Sequence, residues 1–312
     1  MSITVVGSIA YDSVKTPFGS RERMLGGAAT HFALAASFFD RVHVVGQVGE
    51  DFAERDLAVL ATRGTDITDV RRVPGGETFF WAGEYGWDLN TRETLETRLG
   101  VFADFRPELS PAARASEVLF LANIQPSLQR EVLEQCAPKF VALDSMNLWI
   151  ETAHEELVEV ISKVDCVILN DAELRELTRR PNLIAAAREL LALGPTMVVA
   201  KQGEYGAALI AGESFFSLPA YPLEQVIDPT GAGDTFAGGL LGYLARHLSR
   251  VGEEAIRRQA MAYGTALASF NVEGFGTERM VGLTPGEIHR RVDTLRRASS
   301  FDAPALDLTL AS

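Results

Sequence analysis

The chain has 312 residues, 47% of them hydrophobic and 23% charged, which is enough apolar material for one large domain or two smaller ones. With 29 Lys and Arg against 42 Asp and Glu, its formal net charge is −13, so we expect neither a nucleic acid nor a membrane surface as a partner. Two Cys without metal-binding spacing, an N-terminus without a basic leader and no apolar run approaching ~20 residues predict a cytoplasmic protein.

The first predicted strand covers residues 3–6, and Asp12 follows it closely. Because ligands collect at the carboxyl ends of parallel strands, Asp12 is a candidate for substrate contact; a turn or capping aspartate is the alternative. Gly26 and Gly27 then precede an Ala-rich predicted helix that carries His31. Two adjacent glycines permit a close backbone approach or a hinge. His31 beside them is either a ligand contact or a histidine satisfied within the helix.

A second strand is predicted at residues 42–45, followed by an amphipathic helix to about residue 63. The next segment, residues 67–101, is rich in aromatic and β-branched residues. Antiparallel strands are predicted within it at residues 70–73, 78–85 and 95–101. Because such strands interrupt a βα alternation, we assign the segment to a small lid sheet, with residues 10–24 as a further candidate member. Its aromatic side chains predict either packing inside the lid or contact with substrate or a second subunit, and a homodimer through the lid is the expected assembly.

From residue 117 onward, predicted strands and helices alternate, which indicates a doubly wound, mainly parallel sheet flanked by helices. The strands are predicted at residues 118–121, 140–143, 166–169 and 197–200, and the helices near residues 127–136, 151–162, 171–178 and 182–192. Polar residues follow these strands: Asn123, Asp144 with Asn147, Asn170 with Glu173, and Lys201. We expect them at the ligand-binding edge of the sheet. Asn170 and Glu173 also have the spacing of a helix capping box, which is the alternative to a ligand role.

The stretch from Asp228 to Gly239 has the sequence Asp-Pro-Thr-Gly-Ala-Gly-Asp-Thr-Phe-Ala-Gly-Gly and leads into an apolar helix. A short strand at residues 224–227 is predicted to deliver it. The free amides of residues 231–233, at a helix N-terminus, attract an anion such as a phosphate. A carboxylate beside a phosphate is repelled unless it has a function, and Asp234 could take the proton from a hydroxyl that attacks the phosphate. A capped helix with a flexible start is the alternative.

This string resembles the second signature of the PfkB family, the ribokinase-like sugar and nucleoside kinases. Weaker similarities in the same order extend the resemblance from Gly7 to about Gly276. The resemblance implies a single kinase domain over residues 1–312, with a ribokinase-like α/β fold and a small β lid. It also implies transfer of the γ-phosphate of ATP to a hydroxyl of a small carbohydrate or polyol. A nucleoside kinase of the same fold and a nucleotide or sugar sensor without turnover are the alternatives.

The resemblance also implies roles for individual residues. Asp234 would be the general base, and the amides of Gly231, Ala232 and Gly233 would stabilise the charge on the transferring group. Asn170 and Glu173 would hold Mg²⁺ with its waters, and Asp228 would shape the loop or join a cation site. The acceptor would face Asp12, Gly26, Gly27 and His31, although many sugar kinases have Asn at the position of His31. The nucleotide and a candidate K⁺ ion would be bordered by Lys201, Gly203, Gly206, Thr230, Asn271 and Gly274.

Overall fold

The computed structural model describes residues 1–300, whereas the C-terminal segment, for which the sequence predicts no regular element, lies outside the described residues from residue 301 onward. The strands are β1 (Ser2–Val6), β2 (Ala10–Thr16), β3 (Gly19–Gly26), β4 (Arg41–Gly49), β5 (Val70–Val73), β6 (Phe79–Tyr85), β7 (Arg92–Arg98), β8 (Val118–Leu121), β9 (Phe140–Leu143), β10 (Cys166–Asn170), β11 (Met197–Lys201), β12 (Ala207–Ala211) and β13 (Ser214–Leu218). The helices are α1 (Ala28–Ala36), α2 (Glu54–Leu60), α3 (Pro111–Arg114), α4 (Pro126–Leu133), α5 (Asn147–Thr152), α6 (His154–Ile161), α7 (Asp171–Thr178), α8 (Leu183–Leu191), α9 (Ala232–Arg246), α10 (Glu254–Asn271), α11 (Glu278–Val281) and α12 (Pro285–Ala298).

Within residues 1–300, the strands form two sheets. The large sheet has nine strands in the order β13-β12-β11-β10-β9-β8-β1-β4-β5, and its strands from β11 to β5 pair in parallel. At one edge, β12 and β13 pair antiparallel. The small sheet has the order β3-β2-β6-β7, in which β2 and β6 are parallel and the outer pairs are antiparallel. The predicted mainly parallel sheet with a separate small sheet is therefore confirmed.

The large sheet is covered by helices on both faces, because alternating side chains enter two different cores. In β1, Ile3 and Val5 belong to the core beneath α1, α9 and α10, whereas Val6 belongs to the core beneath α4, α6, α7 and α8. A strand that is covered on both faces has no use for a polar face, and all four residues of β8 are accordingly buried apolar ones. The carboxyl ends of the parallel strands thus form one edge of the sheet, where the chain leaves the hydrophobic layers.

One predicted member of the lid is wrong. Residues 70–73 form β5, which pairs in parallel with Gly46–Gly49 of β4 at the edge of the large sheet, not with the small sheet. Its alternation of Val and Arg suits a strand in either sheet, so the local pattern could not decide the pairing. The small sheet instead takes its other two strands from residues 10–26.

Other predicted boundaries shift. Residues 224–227 form no strand; this segment is a loop in which the Ile227 amide donates to the Val272 carbonyl at 2.7 Å. The last strand of the small sheet is Arg92–Arg98 instead of residues 95–101. The helix predicted near residues 151–162 is divided by Ala153, whose backbone is not helical.

Candidate active site

The site is built where β9, β10 and β11 end and where α9 begins. The turn before α9 has Gly231 in the left-handed region, with φ 74° and ψ 1°, a conformation that glycine adopts without a Cβ penalty. Within residues 1–300, no side chain caps the start of α9. The Ala232 amide donates to the Pro229 carbonyl at 3.2 Å, whereas the amides of Gly231 and Gly233 have no hydrogen-bond partner among residues 1–300 and can meet an anion. The helix dipole favours negative charge at the same place.

Lys201 places a positive charge beside this turn. A Cβ built on Gly233 would lie 3.1 Å from Lys201 Nζ, so the ammonium group occupies the space that the glycine leaves open. Lys201 Nζ also donates to Asp144 Oδ2 at 2.8 Å, and both side chains are largely buried. Burial opposes the charged form of Lys201, but the charges of Asp144 and Glu173 outweigh it and raise the lysine pKa. The ammonium group therefore stays charged where a phosphate would bind.

Three aspartates lie close enough to influence one another. Burial raises the pKa of Asp12 to about 7, and the charges of Asp228 and Asp234 add to this effect. Burial and then the charge of Asp144 raise the pKa of Asp234 to about 7, against the opposing charge of Lys201. Asp234 itself keeps an intermediate exposure toward the cleft. A carboxyl group with a pKa near neutrality is suited to proton transfer at physiological pH.

The predicted acceptor residues come together behind the turn. A Cβ on Gly26 would lie 2.0 Å from Asp12 Oδ2, so the missing side chain makes room for that carboxylate. Gly27 donates its amide to Asp12 and lies against the backbone of Ser8 and Ala10. Gly26 therefore makes room for Asp12, and Gly27 allows a close approach to the backbone between β1 and β2.

His31 lies against the turn of residues 230–233, the predicted anion-binding turn. A Cβ on Gly231 would be 2.4 Å from three atoms of the imidazole ring, and the ring is only 1% exposed. Its Nδ1 is 3.0 Å from Asn271 Oδ1, while its Nε2 has no hydrogen-bond partner among residues 1–300. Burial lowers the His31 pKa to about 4, so the ring is neutral. Because Nδ1 faces a carbonyl oxygen, Nδ1 carries the proton and Nε2 is a buried acceptor without a donor.

Asn271, at the end of α10, connects the elements around the turn. Its Nδ2 donates to the Thr230 carbonyl at 2.7 Å, and its Oδ1 accepts from Thr235 Oγ1 at 3.2 Å. Asp228 holds the next loop, since its Oδ1 accepts from the Thr230 amide at 2.9 Å and its Oδ2 accepts from the Gly276 amide at 3.1 Å. These two hydrogen bonds are consistent with the predicted role of Asp228 in shaping the loop. Gly274, also predicted, has an ordinary backbone conformation and lies beside Arg279.

Asn170 and Glu173 form a complete capping box at the start of α7. Asn170 Oδ1 accepts from the Glu173 amide at 2.8 Å, and Glu173 Oε2 accepts from the Asn170 amide at 2.9 Å. Burial raises the pKa of Glu173 to about 7. In the part of the chain that the structure describes, no three His, Cys, Asp or Glu side chains converge as a metal cage. Asn170 and Glu173 offer one amide oxygen and one carboxylate. These donors fit Mg²⁺, which usually takes one or two carboxylates with waters and substrate phosphates.

Gly203 and Gly206 lie in the turn between β11 and β12, at the outer end of the cleft. A Cβ on Gly206 would lie 2.0 Å from the Leu218 carbonyl oxygen, so this glycine allows the turn to pack against the end of β13. Gly203 faces Asn90 of the small sheet, whose Oδ1 would be 3.1 Å from a Cβ at that position.

The small sheet lies over the site. Tyr85, at the end of β6, accepts a hydrogen bond at its hydroxyl from Thr230 Oγ1 at 3.2 Å. Asn90, in the hairpin that follows, donates to Glu204 Oε1 at 3.4 Å. The hairpin between β6 and β7 thus contacts both the anion-binding turn and the turn after β11.

Sequence reasoning missed several residues that support the site. Asp144 was recognised only as a polar residue at a strand end, yet it pairs with Lys201. Gln129 is fully buried and donates from Nε2 to the carbonyls of Ala122 and Asp144, which holds two strand ends together. A lone Gln in a surface-type helix pattern gives no signal of this. The sequence placed Asp144 at the ligand-binding edge, but it gave no sign of the pairing with Lys201, the last residue of β11.

Comparisons with known proteins agree with this geometry. A family model described as pfkB family carbohydrate kinase matches residues 2–281. The chain is 31% identical over 264 residues to the cytidine kinase of Thermococcus kodakarensis, covering 82% of this chain and 92% of that protein. The structure of Burkholderia thailandensis nucleoside kinase in complex with ADP-inosine aligns with a TM-score of 0.76 at 18% identity, covering 98% and 100% of the two chains. A putative ribokinase II from E. coli in complex with ATP and Mg²⁺ also aligns with a TM-score of 0.76, at 18% identity over 95% and 99%. The predicted ribokinase-like fold is confirmed.

Proposed function

Because the chain belongs to the pfkB family of carbohydrate kinases, we propose that it transfers the γ-phosphate of ATP to a hydroxyl of a small carbohydrate, polyol or nucleoside. Asp234 takes the proton of the attacking hydroxyl. The amides of Gly231, Ala232 and Gly233, with the Lys201 ammonium group, stabilise the charge on the transferring phosphoryl group.

The observation that carries this proposal is the position of Asp234. Its carboxyl group belongs to the first turn of α9, and its pKa is raised to about 7. The Lys201 ammonium group neighbours the preceding residue, Gly233. A protein that only bound nucleotide would gain nothing from a carboxylate next to a phosphate. A sensor without turnover is therefore the weaker candidate.

Asn170 and Glu173 are the residues that would hold Mg²⁺, with Asp144 nearby through its pairing with Lys201. The ion would neutralise charge on the nucleotide phosphates. The E. coli structure with ATP and Mg²⁺ and a fructokinase structure from Vibrio cholerae with fructose, ADP and calcium support a nucleotide with a divalent metal. Lys201, Gly203 and Gly206 are the proposed nucleotide contacts on the β11 side, and Thr230, Asn271 and Gly274 those on the α9 and α10 side.

A nucleoside acceptor is the second candidate, and the 31% identity to a cytidine kinase over most of both chains favours it. Among the aromatic residues of the small sheet, Tyr85 contacts Thr230 beside the turn before α9, so a base bound there could stack on it. Asp12 and His31 would face the ribose, and the unpartnered His31 Nε2 supports this assignment, since a donor hydroxyl would satisfy it. Gly26 and Gly27 would act through Asp12.

We also propose a monovalent cation, a homodimer and a cytoplasmic location. The Asp228 loop, with its bonds to Thr230 and Gly276, is the proposed place for K⁺. The exposed aromatic residues of the small sheet support the dimer. Cys136 and Cys166 are free thiols, as in a reducing compartment that also supplies ATP. No helix in residues 1–300 has the length and apolar composition that crossing a bilayer requires.

The test is a measurement of acceptor-dependent ADP release with MgATP. The acceptor panel should contain cytidine, uridine, inosine and adenosine beside ribose, deoxyribose, hexoses and inositols, with Asp234→Asn as the control. Turnover with one acceptor class that disappears in the variant would support the proposal. Tight ATP binding without turnover on any acceptor would favour the sensor instead. Turnover with K⁺ replaced by Na⁺, measured on the best acceptor, tests the proposed cation.

A further inference from the structure

The site contains more acidic side chains than its buried lysine can pair with. Asp12, Asp144, Glu173, Asp228 and Asp234 converge on it, while Lys201 is already paired with Asp144. A nucleotide adds further negative charge, and charge accumulates on the transferring phosphoryl group during the reaction. A second cation near the phosphates would therefore favour both binding and transfer.

The hairpin of the small sheet brings Arg92 to this place. Arg92 is the first residue of β7 and pairs directly across the strands with Tyr85, whose hydroxyl group accepts from Thr230 Oγ1 at 3.2 Å. Thr230 is the first residue of the predicted anion-binding turn. The hydroxyl groups of Tyr85 and Thr230 thus connect the strand pair that carries Arg92 with that turn.

The Arg92 guanidinium group forms no ion pair among residues 1–300. It stacks on the Trp81 ring at 5.4 Å from the ring centroid. Burial raises the pKa of the Tyr85 hydroxyl, and the Arg92 charge opposes this rise. Arg92 thus lies on the same face of the small sheet as Tyr85, whose hydroxyl contacts Thr230 beside the turn before α9.

We propose that Arg92 contacts the phosphates of the nucleotide from the small sheet and stabilises the charge on the transferring phosphoryl group. This inference rests on the proposed kinase function. A planar guanidinium group can donate two parallel hydrogen bonds to a phosphate, which the point charge of a lysine cannot reproduce. Arg92 donates hydrogen bonds only and exchanges no proton with the substrate.

The experiment compares Arg92→Gln and Arg92→Lys with Arg98→Gln. Arg98 is a matched control, because it lies at the other end of β7, stacks on Phe80 at 4.4 Å and pairs with Glu96 at 3.0 Å. Affinity for MgATP is measured by calorimetry without acceptor, and kcat with the best acceptor of the panel. We expect Arg92→Gln to lose about tenfold or more in MgATP affinity, in kcat or in both, as for a lost hydrogen bond to a charged group. The melting temperature should stay at the Arg98→Gln value, and Arg92→Lys should recover only part of the loss.

A third variant, Arg92→Ala, distinguishes a direct contact from damage to the fold, because it leaves room for a free guanidinium ion. Guanidinium ion added to the assay should restore part of the loss in Arg92→Ala and should have no effect on Arg98→Gln. If Arg92→Gln lost less than about tenfold in both MgATP affinity and kcat, or if Arg98→Gln lost as much, the proposal would be overturned. If the wild-type protein turned over no acceptor, the kinase proposal would fail, and MgATP affinity alone would still decide whether Arg92 contacts the phosphates.

Discussion

At the scale of single residues, Asp234 is the proposed general base. Replacement by Asn keeps the size and hydrogen-bonding capacity of the side chain but removes its basicity. We expect Asp234→Asn to fold, to bind MgATP and to lose phosphoryl transfer by a factor of ~10² or more. Steady-state turnover on the best acceptor, with calorimetry for ATP, measures both parts. Turnover close to the wild-type value would remove Asp234 from the role of base.

The raised pKa of Asp234, about 7, predicts the pH dependence of activity. Only the ionised carboxylate accepts a proton, so kcat/KM should fall as the pH drops through about 7 and should level off above it. Asp12 has a pKa of about 7 as well, and because the two groups interact, the profile reports the pair. In Asp12→Asn, the acidic limb should persist and move to lower pH, since one negative neighbour is gone. A profile that is flat between about pH 6 and 8 would contradict the assignment.

The same shift has a consequence for stability. A carboxyl group whose folded pKa lies above its unfolded value stabilises the fold below the unfolded pKa and loses that contribution as the pH rises through the folded value. At about pH 8, Asp234→Asn should therefore melt at a higher temperature than the wild type, and the difference should disappear below about pH 4. Calorimetric melting at both pH values measures this part of the prediction.

His31 tests the acceptor side of the site. Its Nε2 is a buried acceptor without a partner in residues 1–300, so a donor hydroxyl of the substrate would satisfy it. An Asn at this position presents a shorter side chain with both donor and acceptor. We expect His31→Asn to change kcat/KM unequally across the acceptor panel, by about tenfold to hundredfold, with the KM for ATP nearly unchanged.

The competing possibility is that His31 only supports Gly231 and Asn271, which it contacts. In that case His31→Asn would lower turnover equally for all acceptors and reduce the melting temperature. That result would withdraw His31 from the acceptor site.

At the scale of elements, the crossing of α9 and α10 depends on glycine. A Cβ on Gly239 would lie 2.9 Å from both the Gly264 Cα and the Tyr263 carbonyl oxygen. Helix propensity alone predicts that Gly→Ala stabilises a helix by about 1 kcal/mol. Backbone atoms of α10 cannot move aside as a flexible side chain could, so we expect Gly239→Ala to lower the free energy of unfolding by about 1 to 3 kcal/mol.

Gly286, exposed near the start of α12, is the matched control. The nearest atom to a Cβ there is the end of the Arg290 side chain at 3.5 Å, an ordinary contact. Gly286→Ala should therefore raise stability by up to about 1 kcal/mol. Urea unfolding of both variants gives the two signs, and a stabilised Gly239→Ala would show that the helices can separate without cost.

At the scale of the whole molecule, the small sheet leaves large apolar side chains in contact with solvent. Trp87 is 85% exposed, Leu95 56% and Phe18 47%. Such a group on a four-stranded sheet is typical of an interaction surface. We expect a homodimer through this sheet at micromolar concentration, and Trp87→Ser with Leu95→Ser should shift the protein to monomer. Light scattering measures the mass.

Phe215 of β13, which is 52% exposed at the far edge of the large sheet, provides the control. Phe215→Ser should leave the mass unchanged. A wild-type monomer would show that the small sheet closes over the site without a second subunit. Trp81 is a poor probe, because it packs with Val14 and Tyr85 inside the sheet.

Local sequence determined most of the elements of this protein, because periodicity, glycine turns and caps act over a few residues. The strands from β8 to β11, the capping box of α7 and the turn before α9 were all predicted from such patterns. The motif from Asp228 to Gly239 also predicted the proposed anion site, since its glycines and aspartates stand next to one another in the chain.

Only the tertiary structure decided which strands pair and which side chains meet. The pattern of β5 suits either sheet, and its parallel pairing with β4 depends on where the intervening helix places it. The contacts of Lys201 with Asp144 and of His31 with Asn271 join residues that are 57 and 240 positions apart. Arg92 looks like any exposed strand arginine until the hairpin lies over Thr230. Such contacts depend on the folding of the whole chain, because the free energy that selects them comes from burial and charge in three dimensions.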